Sequence, residues 1–253
     1  GKGSVGVAAS GAGSEATNTL KQNVTAEVLG AGEGATLTLG NGDLTLSAND
    51  TSSLTTTAWG AALAVSVAPA AQFSAAPAVG LSLADNTLIR RQKAGLQGFR
   101  RDGNGFGGVG SAGAVAITSG STGRIQATSV AVAIAAAAAK DLAVGLSGGG
   151  AHSFNTILGT NQALIEDSDL GVDSAPIAGT LTVRATDSTT IDSEVDAIAA
   201  SLVLADGNSA AAAAIGVALS RNFIGETQGN SGVSGGDPKP YVNPVVVPGG
   251  WSG

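Results

Sequence analysis

A single period governs this chain. Asn18, Asn86, Asn155 and Asn222 recur at intervals of 68, 69 and 67 residues, each at the end of an apolar run of small side chains. A shift of two units lays Asn18-Thr19-Leu20 on Asn155-Thr156-Ile157, then Gly42-Asp43-Leu44-Thr45-Leu46 on Gly179-Thr180-Leu181-Thr182-Val183, and Asp50 on Asp187, without a gap. Fixed-period self-similarity marks a stacked architecture, because one unit cannot bury its own apolar face and must lean on the next. A scaffold or surface role fits such a chain better than a compact enzyme does.

The composition fits a narrow stacked core. Apolar residues make up 43% of the chain but aromatics only 3%, so the interior is filled by Ala, Val, Leu and Ile rather than by large rings. The 39 glycines suit turns repeated at every level. A net charge of −7 and a pI near 4.5 argue against nucleic acid as a partner, which calls for a basic face. Cysteine is absent, which excludes disulfides, thiol nucleophiles and thiolate metal sites. The longest apolar stretch, Val130 to Ala139, falls well short of the roughly 20 residues of a spanning helix, so no membrane-spanning segment is expected. With no Met anywhere and no leader-like opening, the chain reads as a piece of something longer.

Within each unit the pattern reads as strands. Apolar runs open the units at Ser4-Val5-Gly6-Val7, Ala78-Val79-Gly80-Leu81, Ala143-Val144-Gly145-Leu146 and Ala214-Ile215-Gly216-Val217, at 12, 6, 10 and 6 residues from Gly to marker Asn. The longer versions add Gly11 to Glu15 and Gly148 to Ser153, which predicts a loop of variable length on one face. Alternation of period two at Leu37 to Leu39, Asp43 to Ser47 and Thr180 to Arg184 predicts strands with one buried face. Gly40-Asn41-Gly42-Asp43 suits a tight turn with positive φ. The runs Ala61 to Ala68, Val130 to Ala139 and Ala197 to Leu204 are rich in helix-favouring Ala, yet their Val/Ile/Leu alternation assigns them to strands.

The fold expected is all-β: a right-handed parallel β-helix, or β-solenoid, of about three and a half 68-residue repeats. Residues 1–230 form the repeat body, with units near 1–72, 73–140, 141–208 and a partial 209–230; the Pro/Gly-rich residues 231–253 form a tail, cap or linker. A unit divides into about three coils of roughly 22 or 23 residues, and eleven such coils stacked at inter-strand spacing make a rod about 50 Å long.

The succession of Ala-Val-Gly-Leu-Ser, Asn-Thr-Ile/Leu and Gly-x-Leu-Thr-Val/Leu-x-Ala-x-Asp-Ser/Thr resembles the long repeat regions of giant bacterial secreted or cell-surface proteins of the haemagglutinin, adhesin or autotransporter-passenger kind. The resemblance covers roughly residues 1 to 230. It implies an exported β-helical stalk, extracellular or at the bacterial cell surface, with adhesion or matrix building as its role. No catalytic residue transfers through it, and the calcium-binding nonapeptides that accompany many such proteins are missing here.

Two stretches depart from the repeat. Arg90, Arg91, Lys93, Arg100 and Arg101, five of the twelve cationic residues, fall within twelve positions. They read either as a solvated loop or as a site for an anionic glycan, held through guanidinium contacts to uronate, sulfate or phosphate. Asp102-Gly103-Asn104 begins like a calcium loop, with Asp102 and Asn104 as candidate ligands, but lacks the downstream bidentate Glu. No cofactor is therefore expected, and calcium stays a secondary reading. Glu166, Asp167, Asp169 and Asp173 form the densest acidic cluster and read as an exposed turn. His152 stands beside Ser153, an arrangement unsuited to a Ser–His pair. The chain thus reads as a stalk, adhesin or matrix element rather than an enzyme. The alternatives are a glycan-binding or polysaccharide-cleaving β-helix (a lyase or hydrolase) and a filament subunit joined end to end with its own copies.

Overall fold

The computed structural model describes residues 5–110, 113–171, 179–207 and 209–225; the proposed tail, 231–253, and Asp173 lie outside them. The described residues are all-β, with no helix. In chain order the strands are β1 (Val5–Val7), β2 (Ser10–Glu33), β3 (Thr36–Thr38), β4 (Leu44–Asp50), β5 (Ser53–Ala68), β6 (Phe73–Arg100), β7 (Gly108–Gly110), β8 (Val115–Ser121), β9 (Arg124–Ala139), β10 (Leu142–Glu166), β11 (Leu181–Asp187), β12 (Thr190–Ala205) and β13 (Ser209–Gly225). The ambiguous Ala-rich runs lie in β5, β9 and β12, as their alternation required. No helix of the described residues is long and apolar enough to cross a membrane.

All strand pairs are parallel, a pattern compatible with a β-solenoid. One sheet runs β2, β6, β10, β13, with β1 also on β6. A second runs β5, β9, β12, a third β4, β8, β11, and a fourth pairs β3 with β7. The marker asparagines are direct partners, Asn18 with Asn86, Asn86 with Asn155, and Asn155 with Asn222. Each coil therefore runs out along the first sheet and back through the other three, which lie against it as a second layer.

This corrects the coil length. One 68-residue unit makes one wide coil, not three coils of 22 or 23. β6, at 28 residues, extends about 90 Å at the usual rise per residue, while the stacked strands β2 to β13 rise only on the order of 15 Å. The described body is a broad two-layer slab, not a 50 Å rod. The expected loop is corrected too. Gly11 to Glu15 and Gly148 to Ser153 are uninterrupted strand, with Gly149 opposite Gly80 and Gly216, and Ala12 opposite Gly80. Gly145 pairs with Ala76 instead, so the four apolar openings are not in one register.

The reason is the closeness of the two layers. A Cβ on Gly80 would lie 2.4 Å from the Val132 carbonyl oxygen, one on Gly60 1.9 Å from that of Leu81, and one on Gly216 2.6 Å from that of Ala197. Backbone packs on backbone there, so glycine serves as strand, not turn. The neighbouring interior is an all-alanine cluster that includes Ala62, Ala64, Ala76, Ala133 and Ala135. Towards the other end of the slab the layers hold larger side chains, Leu96, Phe99, Val109, Val115 and Ile117. At Gly40, φ is +58° and the Gly42 N–H donates to the Leu39 carbonyl at 2.9 Å, the tight turn expected of that segment.

Candidate functional site

Two polar columns run through the interior. In the first, Nδ2 of Asn18 donates to Oδ1 of Asn86 at 3.1 Å, Asn86 to Asn155 at 2.8 Å, and Asn155 to Asn222 at 2.9 Å. An amide carries donor and acceptor at one end, so identical side chains in register pass a hydrogen bond from coil to coil. Thr56 of the opposite layer accepts from Asn18 at 2.7 Å and donates to Asn86, tying the column to the second layer.

The second column centres on Arg90. Its position is inward on β6, where β2 has Gln22 and β10 has Gly159, and its side chain is 2% exposed. Facing it in the other layer stand Asp50, Ser121 and Asp187, direct partners in three successive coils. Nη1 lies 3.7 Å from the fully buried Asp50 and bonds Ser121; Nη2 lies 3.3 Å from Asp187 and donates to Thr189 at 2.6 Å. Gln92 donates to Asp50 at 3.1 Å. A Cβ on Gly123 would meet Nη1 at 2.6 Å, so that glycine makes room for the guanidinium. A cation on the middle coil thus faces anions on the coils above and below, with serine replacing aspartate at its own level.

The five basic residues are not brought to one surface. Arg90 is inside. Arg91 and Lys93 point outward on β6, Arg91 exposed and Lys93 bound to Glu27 at 2.5 Å. Arg100 reaches Glu33 at 3.1 Å and Asp167 at 3.9 Å. The Arg101 N–H donates to Asp169 at 2.7 Å and its guanidinium to the Gly171 carbonyl. Gln97 donates to Glu166. The acidic cluster and the end of the basic cluster are therefore neighbours across one coil, because they are about one repeat apart in sequence.

The candidate calcium ligands sit in the turn after β6, where seven residues, 101–107, replace the two, 34 and 35, of the preceding coil. The Asp102 carboxylate accepts from the N–H groups of Asn104 at 2.9 Å and Phe106 at 2.8 Å, the bonding of a self-capped turn. No group of three or more metal-binding side chains occurs among the described residues.

One cluster was not foreseen as such. His152 lies outward on β10, its Nδ1 3.9 Å from Asp85 and its ring edge-on to Phe154 at 3.6 Å, while Arg221 stands 5.9 Å over the Phe154 ring. The pairings Asn86 to Asn155 to Asn222 fix these contacts, so the marker register contained the signal.

The fold and interior define an all-β protein of stacked parallel strands whose polar groups bind coil to coil. No protein-family model matches the chain, and neither a curated protein nor a solved structure matches it.

Proposed function

We propose that the chain is a segment of a right-handed β-solenoid of about three and a half repeats in a large secreted or surface-exposed bacterial protein, where it serves as a stalk, adhesin or matrix element. The observation that carries this reading is the use of charge. Lys93 pairs with Glu27, Arg100 with Glu33, and Arg124 with Asp192, each between adjacent coils. The two exposed pairs, Arg100 with Glu33 and Arg124 with Asp192, contribute about 0–1 kcal/mol each, so they set register more than stability. Neighbouring repeats are the partners this chemistry serves. Among the described residues both edges of the slab present unpaired strand backbone, which further coils or copies of the chain fit end to end.

Glycan binding is the second reading, and Arg91, outward and exposed, is the observation that favours it. A binding screen of the purified chain against uronate, sulfated and neutral glycans, with Arg91→Ala as the comparison, tests the proposal. The stalk reading predicts no saturable binding by either protein. Saturable binding to acidic glycans that Arg91→Ala loses would overturn it in favour of a glycan-binding β-helix.

A further inference from the structure

The slab is apolar outside and small inside at one end, the reverse of an ordinary core. That end is made by the last part of each return strand, the reversal, and the first part of the next outgoing strand: residues 58–83, 130–151, 196–207 and 209–219. Between the layers stand Ala, Ser and Gly, with Val203 the larger side chain of the last return strand. On the outer face of the second layer stand Trp59, Leu63, Val65, Ile134, Ile198 and Leu202, exposed by 42 to 64%. The outer face of the first layer carries Val79, Leu81, Leu146, Ile215 and Val217, exposed by 47 to 66%. Soluble proteins seldom expose contiguous apolar patches beyond a few hundred Å², and here two lie back to back.

Charge marks the limits of both faces at one level. No charged residue occurs from Thr51 to Ala84. On the first layer the border is the row of Glu15, which also holds the polar His152, followed by that of Asp85 and Arg221. On the second layer it is the row of Trp59 and Asp196, followed by that of Thr57 and Glu194. These borders face each other, because Ser82 donates to the Ala58 carbonyl across the layers at 2.8 Å. Beyond the borders the next charges are at the reversals, Lys140 and Asp141 in one coil and Asp206 in the next.

The height between border and reversal is set by the strands. From Leu83 back to Phe73 is about 33 Å, and from Trp59 to Val67 about 26 Å, at about 3.3 Å per residue. The hydrocarbon core of a bilayer is about 30 Å thick, bounded by polar headgroups on each side. A protein partner covering one face would not explain why both faces are apolar to the same level, nor why the charges resume at the tip.

We infer that this end of the slab is a fin that inserts into the acyl-chain interior of a phospholipid bilayer, its tip reaching the far headgroup region and Trp59 lying at the near border. This departs from the expectation of no membrane-spanning segment, which rested on the length of a continuous apolar run. Strand alternation hides half the apolar positions from such a count. Ladder pairing satisfies the backbone within the fin, and copies of the chain stacked edge to edge satisfy the inserted edge strands, since unpaired peptide groups are costly in hydrocarbon. The inference rests on the register of the strands and holds whether or not the chain is a stalk.

The test uses the whole chain and phosphatidylcholine vesicles, with and without phosphatidylglycerol, in a Trp251→Phe background that leaves Trp59 as the sole tryptophan of the two. The chain is expected to float with vesicles of either composition, with Trp59 emission shifted to the blue and quenched by brominated acyl chains. The exposed substitutions Leu63→Glu and Leu202→Glu together should lower partitioning at least about tenfold with an unchanged circular dichroism spectrum, whereas Thr19→Glu, beyond the border, should not. A chain that stays with the buffer overturns the inference, as does binding only to anionic vesicles with Trp59 unquenched. Burial of Trp59 without lipid at rising protein concentration, with dimers in sedimentation, would assign the faces to a second copy and also overturn it.

Discussion

Asn86 and Asn155, 69 residues apart, share a buried side-chain hydrogen bond of 2.8 Å from Nδ2 to Oδ1. Both are inward-facing, so the bond joins two coils from within rather than along their exposed surface. Truncation breaks the column in both directions at once. Asn86→Ala leaves groups of Asn18, Thr56 and Asn155 without this partner and is expected to cost about 1–3 kcal/mol, read as a lower urea midpoint. Thr87→Ala, next to it but outward, should stay within about 0.5 kcal/mol.

Arg90 and Asp50 form a buried pair in which the aspartate side chain is 0% exposed. Removing one partner strands the other in a medium that solvates it poorly. Arg90→Ala is expected to destabilise by about 3–5 kcal/mol, measured by chemical denaturation, while Arg91→Ala on the outer face should be near neutral. Arg90→Lys should not restore the loss, since an ammonium cannot span Asp50, Ser121 and Asp187 as the fork does.

Glycines of the two kinds should separate cleanly. Gly60→Ala places a Cβ against the Leu81 carbonyl and is expected to cost at least about 1–3 kcal/mol, because backbone has to move. Gly148→Ala meets nothing within 4 Å, so it should leave stability unchanged or raise it by up to about 1 kcal/mol. Urea midpoints of the two variants compare them directly.

The period, the strand character of the Ala-rich runs and the gapless match of Asp50 with Asp187 were all legible in the residues. Coil length was not, because glycine in a sequence reads as punctuation. Gly148, Gly149 and Gly150 look like a loop in sequence, yet the approach of Gly149 to the Ile198 carbonyl oxygen, where a Cβ would lie at 2.8 Å, explains why strand needs glycine there. The basic cluster was legible as a departure from the repeat but not as a divided set. Alternation sends Arg90 inward and Arg91 outward, and only the second layer shows that Asp50 and Asp187 await the inward one. Glu166 to Asp169 read as a separate turn because its partners, Gln97, Arg100 and Arg101, are nearly one repeat away.

The most direct measurement of one repeat per coil uses the absence of cysteine. Thr87 and Thr156 are direct partners on the outer face of adjacent strands, where the Cα separation of about 4.8 Å lies inside the range a disulfide spans, about 4.4–6.8 Å. A chain carrying Thr87→Cys and Thr156→Cys is expected to form an intramolecular disulfide readily under mild oxidation, and one carrying Thr87→Cys and Val109→Cys, 22 residues on, is not. Cross-linking of the second pair and not the first would contradict the wide coil and restore three short coils to each unit.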